Sequence, residues 1–212
     1  MLYGFSGGRD GGFVDAGLIL DAAGNLYGTA FGGGDSNCGN GFGCGTVFKL
    51  STTGEFTRLH AFTGGAEGDT PLAGLILDAA GNLYGTTAGG EVAGHGVVFK
   101  LAPKARGGWI YTVLHRFTGG KDGSNPVTGL ILDAAGNLYG TTVAGGAKGL
   151  GVVFKLTPSA KGGWNESVPW AFGDHPGASP RAGLIFDAVG NLYGTTQGDP
   201  KTTFGSVFEI TP

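Results

Sequence analysis

The chain has 212 residues, enough for one domain with a buried core. Only 14% of them are charged and the formal net charge is −3, so there is no basic stripe of the kind a nucleic-acid partner requires. No apolar run reaches the ~18 residues of a membrane-spanning helix, and no span is expected.

The first segment, MLYGFSGG at residues 1–8, reads as a strand followed by a glycine turn. Met1 precedes it directly where a signal peptide would stand, so the chain is expected to be a trimmed form or part of a longer product. Residues 17–29 then read GLILDAAGNLYGT. The same thirteen letters return at residues 74–86 and 129–141, and residues 183–195 vary them only to GLIFDAVGNLYGT. From Asp21 through Asp78, Asp133 and Asp187 the period is 54–57 residues, the mark of a repeat architecture. The 47 glycines recur at fixed places in this period, which makes them turn and close-packing residues and not low complexity.

Each period holds four strand-type segments rich in β-branched and aromatic residues. In the third copy they are Leu130-Ile131-Leu132, then 137–141, then 152–156, preceded by 111–117 from the period before. Nothing has a helical period. Between the first two segments, Asp followed three residues later by Gly is a hairpin turn: the carboxylate accepts backbone N–H bonds and Gly takes the left-handed position. The aspartates of this turn are therefore read as structural. Four antiparallel strands repeated every ~50 residues predict an all-β, four-bladed β-propeller of four-stranded antiparallel blades. The repeats run over about 13–62, 71–117, 126–172 and 180–212. The last lacks a fourth strand, and residues 1–5 align with that strand, so the N-terminal strand is expected to close the ring as a single domain. A fragment of a larger ring, or a dimer pairing two chains through open ends, is the alternative.

Two cysteines, Cys38 and Cys44, share one loop. Their C-x5-C spacing suits a short disulfide and hence an oxidising compartment; two free thiols or half of a metal site are the alternatives. The absence of any other cysteine or loop histidine nearby argues against zinc.

At GLILDAAGNLYGTT, GVVFKL and VLHRFTGG the chain resembles the Gloeo/Verruco (GloVer) repeat of bacterial choice-of-anchor proteins, over essentially its whole length. The D-x-x-G-N-L-Y hairpin is also similar, more loosely, to that of NHL-type and gluconolactonase-like propellers. The resemblance implies a secreted or surface-attached propeller and brings no catalytic residue with it.

In a propeller the loops from strand four to strand one share a face with those from strand two to strand three, and function concentrates on such loops. The four-to-one loops carry Asp10, Glu67 and Asp122 at one aligned position, with Asp174 close to it in the fourth copy. Four carboxylates around an axis are candidates for contacting sugar hydroxyls or for holding a single divalent cation in the central channel. The competing reading is that each solvates or caps its own turn. Asp174-His175, with Arg181 in the same shortened loop, is the one place where acidic and basic residues break the repeat. His60 and His115 share a strand-four position with Trp170 and Tyr3, which points to packing between blades. No nucleophile elbow, H-E-x-x-H pair or phosphate loop is present. The expectation is a non-catalytic extracellular binding or scaffold module whose ligand is a carbohydrate, a cation or another protein, acting as monomer or ring-pairing dimer. The alternative is a saccharide- or lactone-directed hydrolase or lyase with carboxylates at the channel mouth.

Overall fold

The computed structural model describes residues 1–34, 38, 41–89, 94–173, 177–198 and 204–211. Within these the chain is all-β, with one 3-10 turn at Gly65–Glu67 and no α-helix. Fifteen strands form four antiparallel sheets, each built from consecutive segments. The first contains β1 (Ile19–Leu20), β2 (Leu26–Ala30), β3 (Thr46–Leu50) and β4 (Phe56–Ala61). The second contains β5 (Ile76–Leu77), β6 (Leu83–Thr87), β7 (Val97–Pro103) and β8 (Trp109–Arg116). The third contains β9 (Ile131–Leu132), β10 (Leu138–Thr142), β11 (Val152–Pro158) and β12 (Trp164–Ala171). The fourth holds β13 (Ile185–Phe186), β14 (Leu192–Thr196) and β15 (Ser206–Ile210). Each sheet runs in chain order, so each is an up-and-down meander, as the repeat predicts.

The hairpin turn explains why the repeated heptad D-x-x-G-N-L-Y is kept. Asp21 Oδ1 accepts the Ala23 and Asn25 backbone N–H groups, each at 2.9 Å. Its Oδ2 takes the Asn25 side-chain amide at 2.7 Å and the Tyr27 hydroxyl at 2.9 Å. Gly24, at φ 82°, closes the turn. The same four bonds recur around Asp78, Asp133 and Asp187. Every oxygen of these carboxylates is engaged within the turn, which leaves them structural. The Asn25 side-chain amide is the main reason Asp21 ionises at about 2. The Tyr27 hydroxyl is pushed up to about 12 by burial and by the carboxylate it donates to.

The core lies between sheets. Tyr27, Val47 and Phe62 of the first sheet pack with Leu75, Phe99 and Leu101 of the second. Tyr84, Val98 and Phe117 do the same with Leu130, Phe154 and Leu156 of the third, and Tyr139, Val153 and Phe172 with Leu184 and Ile210 of the fourth. Face-on packing of successive meanders produces a propeller-like array. The first strands meet near one line, where a Cβ on Gly74 would stand 3.0 Å from the Gly17 carbonyl.

The N-terminal segment departs from expectation in one respect. Residues 1–5 carry no strand assignment, and β15 pairs only with β14, so the fourth sheet has three strands among the described residues. Tyr3 and Phe5 instead lie on the first sheet, Tyr3 stacked on Phe56 at 4.6 Å and Phe5 edge-on to Phe48 at 4.9 Å.

Candidate functional site

The aligned loop carboxylates are held by their own loops. Asp10 accepts the Ser6 backbone N–H at 2.9 Å, the Ser6 hydroxyl at 2.5 Å and the Tyr3 hydroxyl at 3.0 Å. Asp122 accepts the Thr118 backbone N–H at 2.8 Å and its hydroxyl at 2.5 Å. Glu67 takes the Thr63 hydroxyl at 2.9 Å. Each also faces the strand-four aromatic of its own copy: His115 Nε2 lies 3.3 Å from Asp122 and His60 Nε2 3.7 Å from Glu67. Neither imidazole nitrogen is aligned for a hydrogen bond, so the contact is one of charge and shape. Burial pushes both histidines below the ordinary imidazole range, against the pull of the neighbouring carboxylate. Among the described residues no three His, Cys, Asp or Glu side chains form a group able to hold a metal. Asp174 and His175 lie outside the described residues, and Arg181 is exposed.

A different site emerges in the first copy. A cavity of about 490 Å³ opens between the first loop, the β2–β3 loop and β4. Gly7, Gly8, Gly33, Gly34, Gly41 and Gly43 line it, with Arg9, Arg58 and Phe42. Glycine is required where the loops touch: a Cβ on Gly33 would stand 2.6 Å from the Gly8 carbonyl and 2.7 Å from Gly11 Cα. The Cys38–Cys44 disulfide, with Cα atoms 5.3 Å apart, closes the longest of these loops beside the cavity. Arg58 Nη1, on β4, donates to the Arg9 carbonyl of the first loop at 2.8 Å and so ties the two cationic residues together. Neither guanidinium forms an ion pair among the described residues, and both line the mouth.

Beside the cavity stands an aromatic ledge. Phe13 stacks on Phe31 at 5.1 Å and meets Phe42 edge-on at 5.5 Å. Phe42 and Phe13 are 59% and 53% exposed, whereas the phenylalanines packed between sheets, Phe62, Phe117 and Phe172, are at most 1% exposed. Phe13 also sits at φ 57°, a left-handed conformation costly for a bulky side chain; the other copies place Thr70, Asn125 and Ser179 there. Phe31 replaces Ala88, Val143 and Gln197, and Arg58 occupies the place of Val113, the residue opposite Phe99. The sequence signal for this site was the departure of one copy from the other three at positions 13, 31 and 58.

Another residue not singled out by sequence is Glu166. It stands opposite Leu156 where Phe56 and Tyr111 stand opposite Leu50 and Leu101. Its Oε1 is buried without a hydrogen-bond partner. Burial, reinforced by the charge of Asp122, raises its carboxyl above the usual range.

Comparison with solved structures supports the fold. A protein assigned as a gluconolactonase superposes with a TM-score of 0.51 at 19% identity, over 91% of this chain and 57% of that one. A luciferin-regenerating enzyme superposes with a TM-score of 0.56 at 17% identity, over 92% of this chain and 60% of that one. The chain thus spans about three-fifths of the length of either structure. No curated protein matches it in sequence. The model of the Gloeobacter/Verrucomicrobia repeat matches residues 1–107 and 40–212, and the chain belongs to that family.

Proposed function

We propose that the chain is a non-catalytic binding or scaffold module of an exported propeller protein, and that its ligand is an acidic saccharide. The observation that carries this reading is that several of the first copy's departures from the repeat, Phe13, Phe31 and Arg58, gather around one cavity. Two guanidinium groups, a glycine-lined cavity and an exposed aromatic ledge all belong to the first copy. Arginine forks suit carboxylate or sulfate groups, and a flat aromatic suits the apolar face of a sugar ring. The same charges disfavour a divalent cation at that mouth. The loop carboxylates Asp10, Glu67 and Asp122 are occupied by internal bonds, which favours binding over acid–base work. The disulfide agrees with an oxidising, extracellular setting. Calorimetric titration with uronate-containing and neutral oligosaccharides tests the reading: binding of the acidic series, with no cleavage of the ligand, is the expected result.

A second reading, a hydrolase or lyase acting on a saccharide or lactone, draws on one observation. Glu166 holds its proton more tightly than an ordinary carboxyl and lies within electrostatic reach of Asp122, itself beside His115. Release of shortened or ring-opened product on incubation with the same panel would favour it.

A further inference from the structure

The four sheets repeat closely enough that each position can be assigned to the face toward the preceding sheet or the face toward the next. The leucine immediately before the opening strand faces backward: Leu75, Leu130 and Leu184 are each 3% exposed, packed on the sheet before, whereas Leu18 is 47% exposed. The valine of strand three faces forward: Val47, Val98 and Val153 are 0% exposed, whereas Val207 is 79% exposed. Ile185 is exposed in the same way. The array therefore has a bare tail face on the fourth sheet and a bare head face on the first. These are the two sides of the joint formed three times inside the molecule.

The head also carries the strand that the tail lacks. At each internal joint a fourth strand leads with an aromatic and, two residues on, a phenylalanine set edge-on against the next sheet. Phe62 meets Phe99 at 5.3 Å, Phe117 meets Phe154 at 5.0 Å and Phe172 meets Phe208 at 5.1 Å. Phe5 meets Phe48 at 4.9 Å in the same manner, so residues 1–5 occupy on the first sheet the place of a preceding sheet's fourth strand. Among the described residues that segment pairs in no sheet, and β15 pairs only with β14.

We propose that copies of this chain associate head to tail, residues 1–5 of one copy completing the fourth sheet of another. The internal register Val47 to His60, Val98 to His115 and Val153 to Trp170 places Val207 opposite Tyr3 of the second copy. Strand addition satisfies the β15 backbone, and Leu18 and Leu20 cover Val207 and Ile185. The joint is heterologous, with two different surfaces meeting. A second copy is the occupant because the chain itself supplies both halves, in the chemistry already used three times.

Sedimentation velocity and light scattering of the chain from ~1 to 100 µM test this, a range that resolves micromolar self-association. Masses at multiples of the monomer are expected. Val207→Asp blocks the tail and Leu18→Asp blocks the head; each buries a charge in the joint, weakening association by roughly thirtyfold or more. Both sites are exposed in the single chain, and unchanged circular dichroism and melting would confirm that the fold is kept. Mixing the two variants must restore a one-to-one dimer, because one supplies an intact head and the other an intact tail. A strictly monomeric chain across the range, as closure of β15 by its own residues 1–5 would give, overturns the proposal. So does a mixture that stays monomeric.

Discussion

Replacing Glu166 by tyrosine should stabilise the protein. At the joint between the first and second sheets this position is Tyr111, which stacks on His60 at 4.1 Å and 5° and donates its hydroxyl to the Glu67 carbonyl at 2.6 Å. One joint earlier it is Phe56, stacked on Tyr3. At the joint between the second and third sheets Glu166 buries a carboxylate oxygen without a partner, within reach of the charge of Asp122. An unsatisfied buried acceptor costs about 1–3 kcal/mol, and the lower end applies because the rest of this side chain meets solvent. An aromatic pair adds about 0.5–1.5 kcal/mol. The substitution is therefore worth about 1–2 kcal/mol, or ~2–8 °C in Tm for a chain of this size. The pH dependence identifies the cause. The folded carboxyl holds its proton more tightly than the unfolded one, so its penalty is absent below the unfolded value of ~4 and grows as pH rises through the folded value. Scanning calorimetry of Glu166→Gln isolates this term: its advantage over the parent should be present at pH 7 and vanish near pH 4. A Glu166→Tyr protein melting at or below the parent at pH 7 would refute the reasoning.

Three further outcomes follow from the same contacts. Asp21→Asn should lower Tm at pH 7; because the folded carboxyl titrates at about 2 and the unfolded one near 4, the difference should disappear as pH falls between those values, as pH-dependent melting would reveal. Reducing the Cys38–Cys44 bridge should cost about 2 kcal/mol, the loop-closure entropy of a short ring, read as a drop in Tm with reductant that a Cys38→Ser, Cys44→Ser protein does not display. Phe13→Asn, which supplies the residue used at Asn125, should raise stability by about 1 kcal/mol by relieving the left-handed phenylalanine while weakening acidic-saccharide binding several-fold; loss of stability would argue that the ledge is a packing feature.

The fold was legible because the repeat places the same turn chemistry at Asp21, Asp78, Asp133 and Asp187, and a turn fixes strand order locally. The inward packing of His60 was legible too, from the aromatics that replace it in other copies. Alignment of Asp10, Glu67 and Asp122 identified a common position but not its use. A hydroxyl four residues earlier, on Ser6, Thr63 or Thr118, takes up each carboxylate, and sequence alone does not say whether such a pair closes. Glu166 went unnoticed because its burial depends on the neighbouring sheet, a contact far away in the chain. The Arg9–Arg58 mouth was missed for a related reason: its members come from the first loop and from β4, and meet only once the sheet is formed.

The most direct test of the binding account is a calorimetric titration of one uronate-containing oligosaccharide into the parent chain and into Arg58→Val, which gives the first copy the valine the second copy carries. A charge-assisted contact is worth about 1.5–3 kcal/mol, so affinity should fall at least tenfold in the variant and fall also with added salt in the parent. Equal affinity in both proteins, or binding abolished by Asp122→Asn and untouched by Arg58→Val, would contradict the placement of the ligand at the first copy.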